Sequence, residues 1–340
     1  MGSVKDLDIS KAPTDNEPGQ GCFNFSDRYS VFDWGEMPDH IPHKGEALCL
    51  ITAYFFEKLE EKGIKTHYRG IKENGKTKKL SELNHPSGQL EVSLVRVIEP
   101  EYDNGEYDYS FYDNKVSNCL IPLEVIYRNT LPKHSSFRTR AEKGVIDIND
   151  YGLEKMPPPG TTLDQPIFDV STKLEASDRY ISWKEAKKIA GLNDKELSQA
   201  QELLAEVNNL ITREVKQAGL KNLDGKIELA FDSNRELMVV DAVGTPDECR
   251  FAYNGFSISK EAVRKYYRQT EWHQEVTQAK KNFGKDWKQK VATSPEPLPE
   301  KILDLISQLY MVCTNEVTGI QWFDDISPFS EIRSQLQEIT

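Results

Sequence analysis

The residues best equipped for chemistry lie within Leu223–Arg250, LDGKIELAFDSNRELMVVDAVGTPDECR. Two runs of β-forming residues, Lys226–Phe231 and Leu237–Val243, flank the polar tetrad Ser233-Asn234-Arg235-Glu236. This is a β-hairpin pattern without the Asn-Gly pair that marks the tightest turns. A turn centred between Asn234 and Arg235 sets Glu228 opposite Asp241. Directly opposed side chains lie roughly 5 Å apart, and like charges there repel unless something neutralises them. A divalent cation would do so, and Mg²⁺ is commonly held by one or two carboxylates together with substrate phosphates. Lys226 shares the face of Glu228, two residues away. Gly244-Thr245-Pro246-Asp247 then reads as a turn that returns Arg250 to the same end. The competing reading is an ordinary exposed hairpin with scattered charges.

Several elements must position this hairpin. The segment before residue 46 is rich in Gly, Pro, Asp and Ser and reads as strands joined by loops. Within it, Gly2-Ser3-Val4-Lys5 suits either the end of a phosphate-cradling turn or a frayed terminus. Glu46–Lys62 carries Leu48, Ile51, Phe55 and Leu59 at helical spacing, with Gly63 as its cap. Lys44 stands at the start of that helix, where the dipole favours anions; a solvated lysine is the alternative. Ile64–Ile71 and Glu91–Ile98 read as strands with the Asn74-Gly75 turn between them, and Asp103–Asp113 as a surface hairpin or loop.

Leu120–Arg128 reads as a strand broken near its start by Pro122, which cannot donate to a central ladder. It ends in Arg128, whose planar donor fork suits a carboxylate or phosphate. Met156–Gly160 is a proline-rich loop. Ser182 with Glu185 caps a short helix ending at Gly191, and Asn193 with Glu196 opens a longer one closed by Gly219. A charged helix over Ser259–Lys281, a break at Pro295–Pro299, and helices over Glu300–Cys313 and Pro328–Gln337 follow.

Composition narrows the class. A chain of 340 residues, 38% apolar and 29% charged, has room for two domains or one large one. No run approaches the ~18 apolar residues of a membrane-spanning helix, and the start of the chain lacks the apolar core of a secretory signal. Neither a membrane nor export is therefore expected. The five cysteines are odd in number, widely spaced and never C-x-x-C, which favours reduced thiols and a cytoplasmic location. A net charge of −12 argues against nucleic acid as a partner, although a local cationic pocket for a small phosphorylated substrate is compatible with it.

Seven blocks occur in one order along the chain: Gly2-Ser3-Val4-Lys5-Asp6, Ser26–Asp33, Ile41-Pro42-His43-Lys44-Gly45, Pro122–Arg128, Ser171-Thr172-Lys173, Asp224-Gly225-Lys226-Ile227-Glu228 and Thr245–Arg250. In that order they resemble the SAICAR synthetase (phosphoribosylaminoimidazole-succinocarboxamide synthase) family. The resemblance implies an α+β fold related to ATP-grasp and kinase-like enzymes. It implies a small β-rich N-terminal nucleotide-binding domain over residues 1–119, and a larger α+β domain with a helical C-terminal extension over residues 120–340. It also implies the reaction of ATP, carboxyaminoimidazole ribonucleotide (CAIR) and L-aspartate to SAICAR, ADP and phosphate, with Mg²⁺ as cofactor; a homo-oligomer is left open.

Residue by residue, the resemblance makes Glu228 and Asp241 the Mg²⁺ ligands of the ATP site and Lys5 the cation of its phosphate loop. It places the adenine hinge around Ile121 and Leu123. Arg128, Lys226 and Arg250 fall where the family holds the carboxylate and phosphate of CAIR, with Ser135 or Ser136 as the phosphate-binding serine. Asp27, Arg28 and Lys44 fall on the aspartate side, and Lys226, Asp247 and Lys44 are the implied catalytic residues. The chain departs from the family at Ser3 (commonly Lys), His43 (Gly), Leu131–Ser136 (a Gly-Ser pair) and Ala242 (a second acid). Those departures keep open a ligase for another acid and amine, or a nucleotide-binding homologue without turnover.

Overall fold

The computed structural model describes residues 4–258 and 260–339, with the backbone alone of Asn114 and Lys285. Gly2 and Ser3 of the anticipated phosphate turn, and Ser259 at the start of the anticipated helix, lie outside the described residues.

The first sheet draws on β1 (Lys5–Lys11), β2 (Gly19–Phe25), β3 (Tyr68–Glu73), β4 (Lys76–Lys78) and β5 (Gln89–Leu94), antiparallel in the order β1-β2-β5-β3-β4. Asn74 and Gly75 both have positive φ, 52° and 76°, which suits the two-residue turn between β3 and β4. That turn returns the chain into the short lysine-rich edge strand β4, which the sequence pattern does not announce.

Helix α1 (Lys44–Glu61) begins two residues before its predicted start. Every residue from Ala47 to Ala53 is buried, so the first half of the helix is enclosed on all sides, while Glu57, Lys58, Glu60 and Glu61 leave the second half partly open to solvent. One side lies on the first sheet and the other against the C-terminal helices. Its approach is tight at Gly45: an added Cβ would stand 2.5 Å from the carbonyl oxygen of Phe25.

The acidic, tyrosine-rich segment forms a hairpin of β6 (Glu101–Asp103) and β7 (Glu106–Asp108). Then comes β8 (Cys119–Thr130), followed by α2 (Ser136–Glu142), β9 (Thr162–Thr172), α3 (Trp183–Ile189) and α4 (Asp194–Gln217). The strands β10 (Lys221–Phe231), β11 (Leu237–Val240), β12 (Cys249–Tyr253) and β13 (Phe256–Ile258) complete a second antiparallel sheet. Its order is β13-β12-β10-β8-β9, with β11 pairing β10.

Strand β8 is central in that sheet and runs unbroken through Pro122, contrary to the broken strand expected. A bulge absorbs the missing donor. Leu120 pairs with Ala230 and Glu124 with Glu228, so three residues of β8 face one of β10.

Where one helix is predicted over 259–281, the chain forms α5 (Glu261–Tyr267) and α6 (Glu271–Phe283). Thr270 separates them because its hydroxyl accepts the His273 amide and so caps a new helix. Helix α7 (Glu300–Thr318) runs five residues past its predicted end, to Gly319 with φ 68°, and α8 (Phe329–Ile339) follows. A single buried apolar cluster extends from Phe23 to Leu336 and joins both sheets to α1, α4 and α7. No helix of the described residues is long and apolar enough to cross a membrane, and all five cysteines are buried free thiols.

Candidate active site

Strand register lays the chemistry out in rows on one face of the second sheet. Leu120, Ala230 and Met238 are paired across β8, β10 and β11. With Val240 and the flanking Val95 and Leu174 they make an apolar patch separate from the main core. Two residues along β10, and four along the bulged β8, Glu124 pairs with Glu228; two further on both strands, Ile126 pairs with Lys226; two further again, Arg128 pairs with Asp224, which also pairs with Arg250. Alternate residues share a face, so an apolar, an acidic, a lysine and an arginine row follow one another over about 20 Å of strand.

The acidic row is threaded by lysines. Lys173 Nζ lies 2.6 Å from Glu228 Oε1 and 3.5 Å from Glu124 Oε1; Lys226 Nζ lies 2.6 Å from Glu124 Oε1 and 3.4 Å from Glu248 Oε2. From the first sheet, Lys5 Nζ reaches Asp241 Oδ1 at 2.7 Å.

The predicted register is off by one. Glu228 faces Val240, and Asp241 follows the last residue of β11. Asp241 has φ 70°, a left-handed conformation that interrupts the strand alternation, and it still acts electrostatically on Glu228. Burial and the charge of Asp241 push the Glu228 carboxyl well above the usual carboxylate range. For Asp241 burial acts the same way, but Lys5 and Lys173 outweigh it and hold that carboxyl below the range. Ala242, where the resemblance would set a second acid, packs into the main core.

The arginine row centres on Asp169. Arg128 donates to Asp169 Oδ2 at 3.2 and 3.0 Å, to Ser136 Oγ at 3.1 Å and to the Tyr180 hydroxyl at 3.3 Å. Arg140 pairs with the same carboxylate and stacks on the Tyr180 ring, 4.1 Å from its centroid. The two candidate serines therefore separate. Ser135 is buried and caps α2 by accepting the Arg138 amide, whereas Ser136 touches Arg128. Arg250 is paired with Asp224, one of its bonds at 2.6 Å.

A third group lies at the end of the turn after β11. Asp247 Oδ2 is 3.0 Å from both Lys44 Nζ and Lys260 Nζ, and Tyr310 donates to its Oδ1 at 2.7 Å. Lys44 is fully buried, and that burial lowers its pKa despite Asp247. Burial opposes the charge of Asp247 too, but Lys260 and Lys44 overcome it and leave its carboxyl strongly acidic. An open cavity of about 440 Å³ joins the groups: Arg128, Lys226, Arg250, Asp247, Lys260 and Arg264 all line it.

Lys5, Lys44, Ser135, Ser136, Glu228 and Asp241 do not line that cavity, and neither do the other predicted residues. Asp27 Oδ1 accepts the Gly45 amide at 2.9 Å and so fixes the start of α1. Arg28 pairs with Asp6 at 2.7 Å and Ser26 at 3.0 Å, beside β1. Ile121 and Leu123 put their side chains into the main core, leaving only backbone for a ligand, and Leu120 is the side chain that borders the apolar patch.

Sequence reasoning passed over Glu124, Lys173 and Glu248, although each stands inside a quoted block. Asp169, Arg140, Tyr180, Lys260 and Arg264 carry no local signal and are joined only by the fold.

The SAICAR synthetase family model matches residues 11–279. The chain belongs to the SAICAR synthetase family. An Archaeoglobus fulgidus protein, itself only provisionally assigned as phosphoribosylaminoimidazole-succinocarboxamide synthase, is 52% identical over 339 residues, 100% of this chain and 99% of its own. The phosphoribosylaminoimidazole-succinocarboxamide synthase of Thermoplasma volcanium is 33% identical over 311 residues, covering 88% of this chain and 93% of that one.

Among solved structures, the SAICAR synthase of Saccharomyces cerevisiae complexed with SAICAR superimposes with a TM-score of 0.63 at 23% identity, over 95% of this chain and 94% of that one. A SAICAR synthetase in complex with ADP gives 0.56 at 22% identity, over 87% and 99%. These likenesses establish the α+β fold of SAICAR synthetases for this chain.

Proposed function

We propose that this SAICAR synthetase family member is the ATP-dependent ligase that joins the carboxylate of CAIR to the amine of L-aspartate, giving SAICAR, ADP and phosphate in purine biosynthesis. The observation that carries the reading is the single cavity lined by Arg128, Lys226 and Arg250, the three cations the family resemblance allots to CAIR. The apolar patch at Leu120, Ala230 and Met238 suits a nucleobase. ATP would then lie between the first sheet, which supplies Lys5, and the second, which supplies Glu228 and Asp241.

The residues fit Mg²⁺ as a two-carboxylate site completed by phosphate oxygens and water. Among the described residues no three His, Cys, Asp or Glu side chains gather as a closed cage, and Mg²⁺ bound with phosphates needs none. Glu228 is held by Lys173 at 2.6 Å and Asp241 by Lys5 at 2.7 Å, so each acid already faces a cation whose place a metal ion could take. Glu228 and Asp241 would hold the ion, which supplies charge neutralisation to the phosphates when bound.

Lys173 and Lys5, now on those two carboxylates, are placed to turn to phosphate oxygens. Arg128, Ser136 and Arg140 would take the ribonucleotide phosphate, and Lys226 the carboxylate. That carboxylate attacks the γ-phosphorus and releases ADP, leaving an acyl phosphate; the aspartate amine then expels phosphate with loss of a proton. Positioning and fixed positive charge are what such a transfer needs. Asp247, 3.0 Å from both ammoniums, would serve as the counter-ion that keeps Lys44 and Lys260 in place. The five buried thiols suit a reducing, cytoplasmic setting.

The test is ADP release by purified protein. We expect it with ATP, Mg²⁺, CAIR and aspartate together, and not when CAIR or aspartate is omitted. Absence of ADP in the complete mixture, under conditions where a relative of established activity turns over, would overturn the assignment.

A further inference from the structure

Helix α7 lies outside the residues matched by the family model, yet it reaches the candidate site. Ser307, Tyr310 and Thr314 fall on one helical face, three and four residues apart. Ser307 donates to the Pro42 carbonyl at 2.7 Å and Thr314 to the Ala47 carbonyl at 3.3 Å, on either side of Lys44 in the chain. Between them Tyr310 donates to Asp247 Oδ1 at 2.7 Å, and its ring lies 5.6 Å from the Lys44 ammonium.

Packing alone does not call for a phenol there. Tyr310 is 2% exposed, and phenylalanine would fill the same space without a buried hydroxyl to satisfy. The hydroxyl occupies one oxygen of Asp247 and leaves the other to Lys44 and Lys260, each at 3.0 Å. Without it the carboxylate could rotate, and both ammoniums would lose their fixed reference.

We propose that Tyr310 is a positioning residue of the active site, holding Asp247 so that its free oxygen sets Lys44 and Lys260. Helix α7 then belongs to the catalytic assembly and is not merely a cover over α1. The inference rests on the reading above that Lys44 and Asp247 serve the ligase site. Lys44 is faced by Asp247, Lys260, Asp27 and Tyr310, and Tyr310 in turn by Arg264.

Tyr310→Phe is to be compared with Ser307→Ala and Thr314→Val in the full chain. Ser307→Ala and Thr314→Val each remove a bond from α7 to the chain around the start of α1, whereas Tyr310→Phe removes the bond from α7 to Asp247. Tyr310→Phe should lower kcat for ADP release by about ten-fold or more with KM for ATP unchanged, since small misplacements of a reacting group cost that much. The other two variants should keep kcat. Equal kcat in all three, with differences confined to Tm, overturns the proposal.

A second readout needs no turnover: lysine-selective NMR titration of the Lys44 ε-ammonium. Loss of the phenol frees the Asp247 carboxylate to turn away from the ammoniums, and its charge is what favours protonated Lys44, so Lys44 should titrate at lower pH in Tyr310→Phe. An unchanged midpoint overturns the proposal. A wild-type chain inactive with CAIR and aspartate would sink the proposed reaction, and the Lys44 titration would still decide the role of Tyr310.

Discussion

Lys5 Nζ stands 2.7 Å from Asp241 Oδ1, so the first strand of one sheet is tied to the residue that leaves the hairpin of the other. The pair closes the proposed nucleotide site from both sides, and its members respond to charge in opposite ways from Glu228.

Glu228→Gln and Asp241→Asn should therefore separate activity from stability. Both should lower kcat for Mg²⁺-dependent ADP release by about a hundred-fold or more, the scale seen when a charge-stabilising group is lost. Their Tm values should diverge. Glu228 is disfavoured as an anion by burial and by Asp241, so the neutral amide should hold or raise Tm. Asp241 is favoured as an anion by Lys5, so its amide should lower Tm. Full activity in either variant would count against the metal assignment.

Arg128→Lys tests the arginine row. The guanidinium serves Asp169, Ser136 and Tyr180 at once, which a single ammonium cannot do. KM for the ribonucleotide should rise by about ten-fold or more, the equivalent of one charge-assisted hydrogen bond. KM for ATP should be unaffected, and equal rises in both would place Arg128 elsewhere.

His67 sets an acid limit on stability. It is buried between the Phe23 and Phe56 rings, with Nε2 3.3 Å from the Asp241 carbonyl oxygen. Burial lowers its pKa to about 4, whereas the unfolded chain takes up the proton near the ordinary histidine value of about 6.5. Between those values the unfolded state binds more protons, so stability is complete above ~6.5 and falls as pH drops toward ~4, by about 3 kcal/mol in all. Denaturant unfolding at several pH values should show that slope in the wild type and a flatter one in His67→Gln.

Gly45→Ala should destabilise the fold and the site together. The new methyl would meet the Phe25 carbonyl at 2.5 Å and press α1, with Lys44 at its first position, away from the first sheet. Overpacking of this kind costs about 1–3 kcal/mol. Calorimetry should record a lower Tm and ADP release a lower kcat; an unchanged Tm would mean that the helix start is less constrained than its contacts require.

Local pattern carried most of the elements. The Asn193–Glu196 capping box, the Asn74-Gly75 turn and the β10–β11 hairpin all formed where residue types asked for them. The register of that hairpin was not legible, because it depends on the left-handed conformation at Asp241, which no propensity dictates. The roles of Glu124 and Lys173 were hidden for a related reason: they emerge only when β8 and β9 are laid beside β10. Tyr310 is further still, since α7 reads as an ordinary apolar helix until its polar face meets Asp247.

The row arrangement on the second sheet has a consequence for which molecules can fit. Side chains along a strand alternate, so the distance from the apolar patch to the arginines can change only in steps of two residues, about 7 Å. A one-residue slip in β10 would send Glu228 and Lys226 into the core and bring Ile227 and Leu229 to the ligand. The reach of the site is thus quantised by the backbone. Relatives that accept longer or shorter substrates should differ in their loops, while the spacing of these strands stays the same.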